Sequence, residues 1–171
     1  MVGYVQVYTG DGKGKTTAAL GLALRAAGAG LKVYIGQLIK NADYSELNVL
    51  ERLADCITVR QFGRGCFLLT EPSPGDRDAA RHALEEIGQV LRAGEHEVVI
   101  ADEANVACAL GLLTEADLLA LIDQRPPQVE LVLTGRGAPA SVLARADLVT
   151  EMRVVKHYYD RGVLARKGIE G

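Results

Sequence analysis

Tryptophan is absent from the 171 residues and phenylalanine occurs twice, so flat apolar surface for stacking on a large ligand is scarce. Cysteine occurs three times, as Cys56, Cys66 and Cys108, with no Cys-x-x-Cys pair. An odd, widely spaced set suggests neither a disulfide framework nor a zinc cage. Reduced thiols in a cytoplasmic protein are the expectation. Positive charge is not in excess: 19 Lys and Arg stand against 22 Asp and Glu, a formal net charge of −3. That balance excludes a whole-surface basic footprint for nucleic acid. Long apolar runs are also missing, because Arg25 and Lys32 break the longest candidate before it could span a bilayer. Met1 leads directly into a strand-like segment, so no secretory signal and no membrane association are expected. What remains is a 49% hydrophobic chain without repeats or low-complexity tracts. Its length and composition predict one compact domain over residues 1–171.

Hydrophobic patterning predicts six strands. They are Tyr4 to Tyr8, Lys32 to Ile39, Ile57 to Phe62, Val98 to Asp102, Val129 to Leu133 and Leu148 to Met152. An Ala/Leu-rich helix from Lys15 to about Ala27 is stopped near Gly28 and Gly30. Ser73-Pro74-Gly75-Asp76 opens a second helix, with serine as cap, proline at the first position and aspartate reaching back. Its apolar residues Ala80, Ala83, Leu84, Ile87, Val90 and Leu91 recur at helical spacing and predict a face packed on a sheet. Thr114 to Asp117 offers another capping box. Strands alternating with helices imply an α/β fold, a mostly parallel sheet with helices on both faces. Lys156 to Gly171 lacks periodicity and is expected to cover one end of that sheet.

Between the first strand and the first helix runs Thr9-Gly10-Asp11-Gly12-Lys13-Gly14-Lys15-Thr16-Thr17. It fills the P-loop pattern except that threonine occupies the first glycine position. Glycines let backbone N–H groups approach phosphate oxygens, and the helix N-terminus adds its positive dipole end. Lys15 supplies a full charge and Thr16 a hydroxyl for Mg2+. Asp11 is open between capping a turn and touching a ribose hydroxyl.

Asp102 and Glu103 follow an apolar strand as a Walker B-like pair. One of them can hold Mg2+ opposite a triphosphate, and spacing alone does not choose between them. Arg136, in Thr134-Gly135-Arg136-Gly137, also lies beyond a strand's carboxyl end, where ligands bind in open parallel sheets. Its guanidinium suits phosphate.

The run from Val7 through Ala19 closely resembles the ATP:corrinoid adenosyltransferases. So do Gly63-Arg64-Gly65-Cys66-Phe67, Asp102-Glu103-Ala104-Asn105, Gly111-Leu112-Leu113, Glu130 to Arg136, Ala146 to Met152, Lys156 to Tyr159 and Arg166 to Glu170. The likeness covers nearly the whole chain in order, and that family's loop usually begins Thr-Gly.

The resemblance implies a P-loop NTPase-like (RecA-like) fold and Mg2+-ATP as adenosyl donor, lying in its loop in a reversed sense. It implies transfer of the 5′-deoxyadenosyl group to the Co(I) of a corrinoid, with release of triphosphate. A homodimer is implied, with a flavoprotein or other reductase to supply the reduced cobalt. Cobalt is then the nucleophile, and the protein aligns reactants and stabilises the departing polyphosphate through Lys13, Lys15 and Arg136. Candidates for the corrin platform are Phe62, Cys66, Phe67 and Leu68, with Tyr44, Tyr158 and Tyr159 as walls. Leu68-Leu69 departs from relatives that are aromatic-rich there, and Gly171 from their usual ending. His157 is assigned a structural or phosphate-side role. Two other functions fit a P-loop: an ATPase or kinase, and a nucleotide-dependent corrinoid-binding protein.

Overall fold

The computed structural model describes residues 1–64 and 72–170. Six strands form one sheet: β1 (Val5–Thr9), β2 (Val33–Gln37), β3 (Ile57–Gln61), β4 (Val98–Asp102), β5 (Glu130–Thr134) and β6 (Leu148–Glu151). Their order is β3-β2-β4-β5-β1-β6, and every pairing is parallel. The helices are α1 (Lys15–Gly28), α2 (Leu47–Leu50), α3 (Pro74–Ala93), α4 (Ala104–Ala109), α5 (Glu115–Asp123) and α6 (Ala140–Arg145). This is the expected α/β architecture of a P-loop protein.

Side chains that alternate along each strand divide the core into two layers. Val33, Ile35, Ile57, Val98, Ile100 and Val132 face α1 and α2, meeting Ala19, Ala23, Ala26 and Leu50. Tyr34, Val99, Ala101, Leu131 and Leu133 point the other way, onto Ala83, Ile87 and Leu91 of α3, Leu118 and Leu121 of α5 and Val142 of α6. The central strands β2 and β4 are buried along their whole length, as their mainly apolar sequences require, with the polar Gln37 and Asp102 at their carboxyl ends. The edge strand β6 is exposed throughout.

Both predicted capping boxes are formed, Ser73 with Asp76 and Thr114 with Asp117. Helix α1 stops as anticipated: Gly30 takes φ +81°, its N–H reaches Ala27 O, and the Leu31 N–H reaches Ala26 O. That is a Schellman ending. Strand limits shift by one or two residues. The second strand ends at Gln37 rather than Ile39, because the chain turns there into the loop that carries Lys40. The C-terminal stretch adopts a 3₁₀ turn at Tyr158–Arg161, capped by the His157 ring, which accepts the Tyr159 N–H.

Candidate nucleotide and metal site

Parallel strands place all their carboxyl ends on one rim. Thr9, Gln37, Asp102 and Thr134 therefore converge there, although they are far apart in the chain. This is the edge at which open α/β sheets bind ligands.

The P-loop crosses this rim from β1 to α1. Gly10 and Gly14 take φ +91° and +119°, the left-handed region that favours glycine. The Met152 carbonyl, just past β6, accepts the Gly12 N–H at 2.7 Å, and the Met152 N–H donates to Thr9 O at 2.8 Å. Edge strand and loop are thus laced together. Helix α1 has Gly14 at its N-cap and no side-chain cap, whereas α3 and α5 are fully capped. Its first N–H groups lack the side-chain acceptor that the others have, which suits an anion.

Lys15 is buried, and its ammonium donates to Gly10 O at 2.6 Å and Gly12 O at 2.7 Å. The loop thereby holds its own cation against two of its carbonyls. Burial pushes the Lys15 amine below its usual range, and the nearby Arg136 charge adds to this; Glu103 and Asp11 oppose it. The Thr9 hydroxyl turns away, accepting the Ala138 N–H at 3.3 Å. Asp11, Lys13, Thr17 and Arg136 are exposed around the cradle.

Asp102 is 1% exposed and saturated with donors. Its Oδ1 accepts from the hydroxyls of Thr16 at 2.9 Å and Thr134 at 2.7 Å. Its Oδ2 accepts from Gln37 at 3.2 Å and Lys40 at 2.8 Å. Gln37 is itself held by Gln61 at 2.9 Å, so a relay crosses from β3 through β2 to β4. Thr16 and Asp102 are hard oxygen donors in direct contact, the donor type that Mg2+ takes.

Glu103 takes φ +63°, the one non-glycine residue with positive φ among those described. Its N–H donates to the Thr134 hydroxyl at 2.9 Å. Burial raises the Glu103 carboxyl above the usual range and the Asp102 charge adds to this, while Lys40, Lys15 and Arg136 oppose it. Two acids and three cations thus share one neighbourhood. The residue contacting Thr16 is Asp102; Glu103 stands beside it, 4.0 Å from the Lys40 ammonium.

Sequence reasoning brought out Thr16, Asp102, Glu103, Lys15 and Arg136 but not Lys40, Gln37 or the hydroxyl of Thr134. The position of Gln37 and Thr134 at strand carboxyl ends was the usable signal. Of the corrin candidates, Cys66, Phe67 and Leu68 lie outside the described residues. Phe62 packs on the core edge-to-face with His82, ring centroids 5.9 Å apart. The Tyr44 ring lies 5.5 Å from the Lys40 ammonium, on the same rim. Tyr158 is tied to Glu170 and stacked by Arg166 in the C-terminal turn. Phe62 and Tyr44 both adjoin the loop that carries Lys40, since the Gly63 N–H donates to Lys40 O at 3.1 Å.

The family model described as ATP:corrinoid adenosyltransferase BtuR/CobO/CobP matches residues 1–171. The chain belongs to this family. It is 36% identical over 169 residues to the corrinoid adenosyltransferase of Pseudomonas aeruginosa, covering 98% of this chain and 83% of that protein. The corrinoid adenosyltransferase of Escherichia coli is likewise 36% identical, over 98% of this chain and 85% of its own. Corrinoid adenosyltransferase CobA of Salmonella typhimurium is 34% identical over the same shares. A phosphate loop alone would match over a fraction of these lengths. Among the described residues no helix is long and apolar enough to cross a membrane.

Proposed function

We infer that this chain transfers the 5′-deoxyadenosyl group of ATP to the Co(I) of a corrinoid, within adenosylcobalamin biosynthesis or salvage. The observation that carries the reading is the family match along the entire chain, to which the geometry of the rim adds a phosphate cradle. Residues 1–171 act as one nucleotide-binding unit. A cobalt(I) lone pair attacks the ribose 5′ carbon, forming the cobalt–carbon bond. The carbon–oxygen bond breaks, and its electron pair leaves on the triphosphate.

The chain's own groups suit that leaving group. Lys15 at the loop centre, exposed Lys13 and Arg136, and the uncapped N–H groups of α1 surround the space with donors and positive charge. Lys15 and the helix N–H groups are held in place before reaction, so they need little reorganisation as charge builds on the polyphosphate. Alignment of cobalt and carbon within one site removes a further part of the barrier, on the order of 7–11 kcal/mol in well-oriented systems. Thr16 and Asp102 would hold Mg2+, with Glu103 beside them. When bound, the ion neutralises part of the triphosphate charge. Thr9 to Thr17 and Arg136 form the nucleotide site, with ATP lying in the reversed sense implied by the family. Phe62, Cys66, Phe67, Leu68, Tyr44 and Tyr158 remain the proposed corrin contacts.

A homodimer supplied with Co(I) by a flavoprotein or other reductase, in the cytoplasm, completes the reading. The test mixes protein, Mg2+-ATP and chemically reduced corrinoid. Adenosylation changes the visible spectrum and releases triphosphate; release of ADP and phosphate, or no adenosylated corrin under strong reduction, would sink it. Phe67→Ala should weaken corrinoid capture and leave ATP binding intact.

A further inference from the structure

We infer that the Lys40 ammonium is the resident occupant of the divalent-cation seat, and that a metal ion enters only by displacing it. The inference rests on the reading of Thr16 and Asp102 as metal ligands. Lys40 Nζ lies 3.0 Å from the Thr16 hydroxyl oxygen and 2.8 Å from Asp102 Oδ2, bridging the two groups. Mg2+ binds oxygen at about 2.0–2.1 Å, so an ion held by both would need the space the ammonium fills.

The hydrogen-bond inventory points the same way. An ionised carboxylate offers about four acceptor positions, and Asp102 has a donor for each: Thr16, Thr134, Gln37 and Lys40. Thr134 and Gln37 are fixed at strand ends. Thr16 is itself a metal ligand in this reading. Lys40 alone reaches in from a loop, on a long side chain that can withdraw while its stem stays packed. A second berth is close by, since the Tyr44 ring lies 5.5 Å from the ammonium. Charge supplies the reason for such an occupant. Asp102 and Glu103 adjoin each other at a largely buried position, and a cation keeps them from repelling before any metal arrives. It also makes the empty site a poor trap for stray divalent ions. Metal is then taken up with nucleotide, whose phosphates supply the additional negative ligands.

The experiment uses Mn2+ as probe, with free ion followed by electron paramagnetic resonance, on the full chain with and without ATP. Without nucleotide, Lys40→Met is expected to bind Mn2+ about 10-fold or more tighter than the unsubstituted protein. Lys40→Arg, which keeps the charge, is expected to show no gain. Equal or weaker Mn2+ binding by Lys40→Met overturns the inference. Asp102→Asn separates the two levels: loss of ATP-supported Mn2+ binding there, without a gain in Lys40→Met, leaves the metal seat standing and removes only the Lys40 role. Retention of full Mn2+ binding by Asp102→Asn overturns both. Amine acetylation read by mass spectrometry needs no substitution. Lys40 should react several-fold faster with ATP and Mg2+ present than with ATP and chelator, and equal rates count against displacement.

Discussion

The Gly12 N–H donates to the Met152 carbonyl at 2.7 Å, and a methyl group added at Gly12 would lie 2.7 Å from that same oxygen. Phosphate loop and edge strand are therefore in backbone contact, with no flexible side chain to yield. Gly12→Ala is expected to destabilise the protein by about 1–3 kcal/mol, the range for overpacking a rigid contact. Because the strain falls on the loop, ATP affinity should drop as well. Denaturant unfolding and calorimetric ATP titration check the pair of effects, and an unchanged urea midpoint would contradict the contact.

Lys15→Ala should separate binding from stability. The ammonium is already held by two loop carbonyls, and its charge is disfavoured by burial and by Arg136. Removing it relieves a buried cation while emptying the centre of the cradle. ATP affinity should fall by about 10- to 100-fold, in line with loss of a charge-assisted phosphate contact, with little fall in melting temperature. Unchanged ATP binding in calorimetry would refute the loop assignment.

Thr134 links both acids, donating to Asp102 at 2.7 Å and accepting the Glu103 N–H at 2.9 Å. Thr134→Val keeps the shape and deletes both bonds, leaving a part-buried N–H and a buried carboxylate oxygen each short of a partner. About 1–3 kcal/mol of stability should be lost. ATP-supported Mn2+ binding should weaken too, because Glu103 is held in its positive-φ conformation by this bond. A variant with the stability loss and normal Mn2+ binding would confine Thr134 to a structural role.

His96 lies at the opposite end of the sheet, just before β4, with a buried Nδ1 that has no hydrogen-bond partner among the described residues. Burial lowers its pKa below 6.5, with Lys32 adding to this and Glu95 and Glu97 opposing. The sign follows from proton linkage: the unfolded chain takes up the proton first. Stability from the neutral ring is present above pH 6.5 and is lost as pH falls through the lower folded value. His96→Phe keeps a ring against Tyr34 and cannot titrate. Its urea midpoint should fall less than that of the unsubstituted protein between about pH 7 and about pH 5. Parallel pH curves for the two proteins would show that His96 does not contribute.

Local patterns carried much of this structure. The six strands, the two capping boxes, the helix stop near Gly28 and Gly30 and the loop from Thr9 to Thr17 were legible because each is decided by residues a few positions apart. The identity of the site was legible for the same reason: Lys15 and Thr16 stand at fixed offsets from the loop glycines. Glu103 in a left-handed conformation was not, since glycine is the residue that signals such a turn and a glutamate carries no mark of it.

Strand order decided the rest. By inserting β5 between β1 and β4, the sheet sets Thr134 beside Asp102 and Glu103 and opens a rim across which Thr16 reaches the carboxylate. The sequence by itself determined which residues could bind phosphate and metal, through spacing along one segment. Only the tertiary structure chose Asp102 over Glu103 as the partner of Thr16 and brought Lys40 between them. Those contacts join residues 24 to 86 positions apart, and the pairing of parallel strands, not any local pattern, holds them together.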